Sequence, residues 1–210
     1  MNTDFCVFLV DDDASVLKAL DRVLSAKGYR TQSFVSPREF LAAHDPSVPG
    51  CAVLDLAMPG LDGLAVQRAL VQQGASRQVI FLSGEGAIPD TVSAMQGGAV
   101  DFLEKPVNGQ TLLSAVTRAE ARDSDTRNLL VERKAIVERI NRLTPREFEV
   151  LCHVIAGRLN KQIAGDLGTA EKTIKVHRSR MMTKLGVRSV AQLVRLTEKI
   201  ELEPYRLPSH

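Results

Sequence analysis

Acidic residues gather at two points in the first half of this 210-residue chain, each directly after a short apolar run. Asp11, Asp12 and Asp13 follow Cys6-Val-Phe-Leu-Val, and Asp55 ends Cys51-Ala-Val-Leu-Asp. Ser83 ends a third such run, and Lys105-Pro106 follows a fourth. Three carboxylates in one crevice repel and raise each other's pKa unless cations compensate. A hard divalent ion, Mg²⁺ or Mn²⁺, held by few carboxylates, water and a phosphate meets that need, and Lys105 adds a fixed positive charge. A carboxylate is also a competent nucleophile toward phosphorus, forming an aspartyl-phosphate. The arrangement assigns attack to Asp55 and metal holding to Asp12 with Asp11. Ser83 and Lys105 then donate hydrogen bonds to the equatorial phosphoryl oxygens, so the site works by positioning and electrostatics.

These groups meet only if the apolar runs are strands of one parallel sheet, whose carboxyl ends define the site in such folds. Strands are expected at 6–10, 30–35, 51–55, 79–83 and 101–104. Helices are expected at 14–27, after Ser36-Pro-Arg-Glu39 with its capping-box spacing, at 63–73, near 89–97 and from Asn108. Val16, Leu17, Leu20, Val23 and Leu24 fall on one face of the first helix, which Gly28 stops. Five βα units with almost wholly apolar strands predict a five-stranded, doubly wound parallel sheet of the flavodoxin-like kind, covered by helices on both faces.

Beyond the sheet the composition changes. Residues 119–142 read as a polar linker helix continuing the last helix of the first domain. Leu129, Ile136 and Leu143 repeat every seven residues with Ile140 between, but Arg133 interrupts the seam, so a solvated helix is preferred to a coiled-coil dimer contact. Residues 143–210 form a second, all-α domain of four short helices, at about 145–156, 160–167, 171–185 and 189–199, joined at Gly157, Gly168 and Gly186. It opens with a second capping box, Thr144-Pro-Arg-Glu147. Residues 1–118 carry 9 Lys+Arg against 13 Asp+Glu, and residues 119–210 carry 18 against 12. That split points to a nucleic-acid-binding second half. Cys6, Cys51 and Cys152 lack metal-ligand spacing and read as core residues, with a Cys6–Cys51 redox pair the minor alternative. No apolar run approaches the ~18 residues of a membrane span. The start of the chain lacks the pattern of a signal peptide, so a cytoplasmic protein is expected.

Val10-Asp-Asp12, Asp55-Leu-Ala-Met-Pro-Gly60, Leu82-Ser-Gly84 and Glu104-Lys-Pro106, in this order and spacing, resemble the receiver domain of two-component response regulators over residues 5–118. The resemblance implies a sensor histidine kinase as phosphoryl donor and the Ala57 carbonyl as a further metal contact. It also implies a cis Lys105-Pro106 bond and a switch pair of Ser83 and Phe102, in which the aromatic ring turns inward when phosphate draws the hydroxyl. Phosphatases that form aspartyl-phosphates carry a second Asp two residues after the nucleophile. This chain has Ala57 there, so turnover of external substrates is not expected.

The second domain resembles the LuxR/NarL-type helix-turn-helix through Leu143-Thr-Pro-Arg-Glu147, Gly157-Arg-Leu-Asn-Lys-Gln-Ile-Ala164, Lys172-Thr-Ile-Lys-Val-His177 and Lys184-Leu-Gly-Val187. Together the halves resemble the NarL/FixJ group of response regulators. At ~100° per residue, Ile174, Met181 and Leu185 share one side of the 171–185 helix, with His177 at the margin as a packed residue. Lys172, Lys175, Val176, Ser179 and Thr183 share the other. The resemblance implies that this helix enters the major groove of promoter DNA. Lys175 then reaches guanine and Val176 a thymine methyl, while Lys161, Thr173, Arg180 and Lys184 meet phosphates. One departure is Thr169-Ala170 before the helix, where Ala cannot cap. A last helix with Val190, Leu193, Val194 and Thr197 resembles the family's dimerisation helix. The implied protein is a phosphorylation-controlled transcription factor, a homodimer when phosphorylated or DNA-bound, with RNA polymerase as a further partner. The alternative is a DNA-binding regulator whose receiver is only a phosphorylation-independent dimerisation module.

Overall fold

Strands and helices alternate through the first part of the chain because each apolar run is followed by a capped, amphipathic stretch. A computed structural model describes residues 4–84 and 97–202. β1 (Cys6–Val10), β2 (Arg30–Phe34), β3 (Gly50–Asp55), β4 (Gln78–Ser83) and β5 (Asp101–Glu104) form one sheet in the order β2-β1-β3-β4-β5, every pair parallel. β1, β3 and β4 sit inside it and are almost entirely buried, whereas β2, Arg-Thr-Gln-Ser-Phe, is the polar edge. The helices are α1 (Ala14–Ser25), α2 (Pro37–Ala43), α3 (Gly63–Gln72) and α4 (Gly109–Asn141). The helix expected near 89–97 lies, apart from Gly97 in a turn, outside the described residues.

The period-two alternation of strand side chains divides the core into two layers. Val7, Leu9, Cys51, Val53, Ile80 and Leu82 pack with Leu17, Leu20 and Leu24 of α1 and Leu112, Val116 and Ala119 of α4. Cys6, Phe8, Ala52, Leu54, Val79 and Phe81 pack on the other face with Phe40, Val66 and Leu70 of α2 and α3. Cys6 and Cys51 therefore belong to opposite faces of the sheet: Cys51 stands beside Val7, one residue out of phase. Their pairing as a redox couple is excluded by parity, and burial pushes both thiol pKa values up. Ser36 occupies the N-cap of α2 with Pro37 in the first turn, but its hydroxyl makes no capping bond, so the expected capping box does not form there.

The chain divides into two compact units, one ending at Arg127 and one beginning at Asn128, a boundary inside the 119–142 segment. In the second unit, α5 (Pro145–Ile155), α6 (Asn160–Asp166), α7 (Glu171–Leu185) and α8 (Val190–Glu198) surround one core. Ile136 and Ile140 of α4 join Val150, Leu151, Ile163, Ile174, Met181, Leu185 and Leu193 in that core, whereas Leu129 is 65% exposed. The heptad pattern thus reflects packing within the unit below Ile136. α5 begins with a complete capping box: Thr144 Oγ1 accepts from the Glu147 amide and Glu147 accepts from the Thr144 amide at 2.9 Å.

Glu147 is buried and also receives the Lys184 ammonium at 2.5 Å. The Lys184 hydrogen bond, followed by that from the Thr144 amide, holds the Glu147 carboxyl below the usual glutamate range. A depressed folded-state pKa gives stability above the unfolded value, ~4.3, and loses it as pH falls through the folded one. Thermal unfolding of the second unit should therefore move to lower temperature on acidification below about pH 4.3. Glu147→Gln should flatten that dependence in calorimetry; an unchanged slope would show that the pair does not govern it.

Candidate functional site

The site lies at the carboxyl ends of β1, β3 and β5. Asp11 follows β1 and is buried, Asp55 is the buried last residue of β3, and Asp12 is exposed. Carboxylate oxygens of the three lie within 4.8 Å of one another. Lys105, just past β5, places Nζ 2.6 Å from Asp11 Oδ2 and 2.9 Å from Asp55 Oδ1. The Lys105-Pro106 bond is cis, and the Lys105 amide donates to the Ser83 carbonyl at 2.7 Å. Burial disfavours the Lys105 ammonium, but its hydrogen bonds to Asp11 and Asp55 outweigh this and raise its pKa. The second Asp11 oxygen accepts the Asp13 amide at 2.9 Å.

Asp13 has a different occupation from its two neighbours. Its Oδ1 accepts from the Ser15 amide at 2.8 Å and from the Ser15 hydroxyl, making it the N-cap of α1, and these bonds lower its pKa. Gly63 opens α3 against the end of β3. A Cβ there would stand 2.5 Å from the Asp55 carbonyl oxygen. Only glycine lets the helix approach so closely.

Three carboxylates and one ammonium leave a net charge of −2, which a divalent cation neutralises. The donors are hard oxygens, and their separation of at most 4.8 Å is close to the ~4.2 Å between opposite ligands of an ion bound at ~2.1 Å. Residues and ion chemistry therefore fit. Ala57 lies exposed two residues beyond Asp55. The buried Ser83 hydroxyl donates to the Gly84 carbonyl at 2.9 Å. Phe102 is half-buried, its ring 6.4 Å from that of Phe81.

In the second unit, α6 and α7 share the buried residues Ile163, Ala164 and Ile174, and Arg178 Nη1 donates to Asn160 Oδ1 at 2.9 Å across them. Lys161, Lys172, Thr173, Lys175, Val176, Ser179, Arg180 and Thr183 are all exposed, while Ile174, Met181 and Leu185 are buried. His177 is half-buried beside Val150 and Ile174. Ala170 is the N-cap of α7 and neither it nor Thr169 supplies a side-chain cap, while Gly186 ends the helix with φ 71°. Lys184, the remaining residue expected at a phosphate, is exposed, and its ammonium pairs with Glu147 and reaches the Arg142 carbonyl at 3.3 Å. Arg178 escaped the sequence reading because its partner lies on another helix; its position between the buried and outward faces of α7 was the available signal.

Fold and site together define a phospho-acceptor domain of the receiver kind joined to a helix-turn-helix DNA-binding domain. Residues 7–117 match the response regulator receiver domain model, and residues 141–197 match the model for bacterial regulatory proteins of the luxR family. Nodulation protein W of Bradyrhizobium diazoefficiens is 41% identical over 95% of this chain and 88% of its own. The transcriptional regulatory protein FixJ of Azorhizobium caulinodans is 37% identical over 90% of each chain. Among solved structures, response regulator StyR aligns with TM-score 0.80 at 41% identity, covering 93% of this chain and 99% of that one. Full-length FixJ from B. japonicum aligns with TM-score 0.57 at 34% identity, covering 93% and 97%. The chain belongs to the response-regulator family that pairs a receiver with a LuxR-type helix-turn-helix, in which phosphorylation regulates DNA binding and transcription. Among the described residues no helix is long and apolar enough to cross a membrane.

The separate roles of neighbouring acids can be measured. Asp12→Ala should weaken Mn²⁺ binding by about tenfold or more, since even outer-shell partners of a metal are worth 10–100-fold. Asp13→Ala should leave Mn²⁺ affinity in place and cost about 1 kcal/mol of stability through the lost cap. Relaxation enhancement by Mn²⁺ and urea unfolding distinguish the two; equal metal affinities would remove Asp12 from the ligand set.

Proposed function

We propose that Asp55 is the phospho-acceptor and that its phosphorylation by a sensor histidine kinase controls promoter binding through α7. The observation that carries this reading is the Lys105 ammonium bridging Asp11 and Asp55 at 2.6 and 2.9 Å beside Asp12. An Asp55 carboxylate oxygen attacks phosphorus, a new O–P bond forms, and the P–N bond of the donor phosphohistidine breaks with the imidazole as leaving group. Asp11, Asp12, Asp55 and the Ala57 carbonyl would hold Mg²⁺ or Mn²⁺, which when bound neutralises phosphoryl charge. Lys105 then exchanges its bond to Asp55 Oδ1 for one to a phosphoryl oxygen, and the Ser83 hydroxyl leaves the Gly84 carbonyl for another. Phe102, at the edge of its apolar layer, turns into the space that Ser83 vacates. Nothing in this sequence of steps turns over an external substrate, because position 57 offers no side-chain acid or base to hydrolyse the acyl phosphate.

On DNA, Lys175 and Val176 read base edges, with Lys172 and Ser179 beside them on the same outward face. Lys161, Thr173 and Arg180 contact phosphates, and Lys184 remains with Glu147. The phosphorylated chain acts as a cytoplasmic homodimer that brings two copies of α7 to neighbouring half-sites, with RNA polymerase as its further partner. The complete acidic set favours this over a receiver that serves only as a dimerisation module, for which three converging carboxylates have no use.

Incubation with an acyl phosphate and Mg²⁺ should label the wild-type chain at one site, and Asp55→Asn should abolish the label. Label surviving elsewhere refutes the assignment. On DNA, Lys175→Ala should cost about 1–3 kcal/mol and relax the preference at one base pair. Lys161→Ala should weaken all sequences alike and lower the salt slope by about one. Binding curves at several salt concentrations separate these outcomes.

A further inference from the structure

The apolar core of the receiver holds α4 only as far as Ala119. Leu112, Ala115, Val116 and Ala119 are buried in it, but the next two turns, Glu-Ala-Arg-Asp-Ser-Asp-Thr-Arg from 120 to 127, contain no large apolar residue, and Ala121 is exposed. Side-chain hydrogen bonds hold these turns instead. The Arg127 guanidinium donates to the carbonyls of Ser47 at 3.0 Å, Pro46 at 3.1 Å and Val48 at 2.8 Å, and through Nε to Asp123 Oδ2 at 2.8 Å. Asp123 is buried despite its charge. Higher up, the Tyr29 hydroxyl donates to Glu120 at 3.2 Å.

The loop that receives Arg127 is itself fixed. Arg77, just before β4 and stacked over Phe8 at 4.7 Å, donates to the carbonyls of Val48 and Asp45 at 2.8 Å each and to His44 at 3.1 Å. Two guanidinium groups thus share the Val48 carbonyl. Two residues later the loop becomes β3, where a Cβ on Gly50 would stand 2.1 Å from the Cys6 carbonyl oxygen, so the strand has no slack at its start. Asp55 is the last residue of that strand. Immediately past Arg127, Leu129, Leu130 and Val131 are exposed.

We infer that Arg127, oriented by Asp123, is a positioning residue for phosphorylation control: it extends the rigid frame of the receiver two turns along α4 and fixes the point from which the helix leads to the DNA-binding unit. Without this clamp the last firmly packed residue is Ala119, and eight residues, about 12 Å of helix, pass from the receiver's frame to the linker. A change at Asp55 is then transmitted from a loose origin, and its effect on DNA affinity is averaged away. This inference rests on the proposed role of Asp55, but the clamp itself is independent of it.

The test compares the full-length wild-type chain with Arg127→Gln and Arg127→Lys. It measures labelling by an acyl phosphate with Mg²⁺ and affinity, with and without label, for a DNA fragment that the wild type selects from genomic DNA. Amide exchange over residues 120–127 is the third readout. Arg127→Gln should label at the wild-type rate and keep the unlabelled DNA affinity, which shows both units folded. It should lose protection over 120–127, and the labelled-to-unlabelled affinity ratio should fall toward one. Arg127→Lys, still cationic, should recover part of both. Protection that persists in Arg127→Gln, or that is lost while the affinity ratio stays at the wild-type value, overturns the inference. A wild-type chain whose affinity ignores the label would instead sink phosphorylation control, and the exchange data alone would then decide on the clamp.

Discussion

The position of one ammonium group organises the receiver. Asp11 and Asp55 are carboxylates carried to one point by neighbouring strands of a sheet whose register leaves them no other place. Two buried like charges at that distance are tolerated because Lys105 stands between them with a charge-assisted hydrogen bond to each. A single lysine cannot balance three acids. The remaining surplus of negative charge is what a divalent cation would offset, and it is the reason the proposed phosphoryl transfer calls for one. Fold and reactivity thus rest on the same incomplete compensation.

A similar arrangement recurs in the second unit with a different outcome. Glu147 and Lys184 also pair at short range, yet there one charge meets one, and the Glu147 oxygen that receives the ammonium also accepts the Thr144 amide of the capping box. The pair ties α5, the first helix after α4, to the end of α7. Lys184 is thereby engaged with the fold, while Lys172, Lys175 and Arg180 leave the first three turns of α7 basic and exposed.

Much of this was legible in the sequence because the information is local or periodic. Strand ends announce themselves by an acid or hydroxyl after an apolar run, and the facing of α7 follows from its helical projection. The receiver's five strands and the four helices of the second unit, α5 to α8, match the expected segments within a few residues at each end. What could not be read depends on partners distant in sequence. Lys184 looks like any basic residue on a DNA-binding helix until Glu147 is placed beside it. Arg127 sits in a polar stretch that reads as solvated linker, and only the fold brings the 46–48 carbonyls to it. Ser36 has the right spacing for a capping box yet makes no such bond, because spacing permits that contact without requiring it. The parity that separates Cys6 from Cys51 requires knowing how β1 and β3 are aligned.

The placement of those thiols has a practical corollary. Cys6 and Cys51 are buried within the receiver layers and Cys152 is buried on α5 of the other unit, so a maleimide or similar reagent reaches each only when its surroundings open. The chain therefore carries a built-in chronometer for each half. The rate at which Cys152 is alkylated reports opening of the DNA-binding unit, and the rates at Cys6 and Cys51 report opening of the receiver, with no cysteine introduced. Any ligand that tightens one half alone would slow one clock and leave the other running.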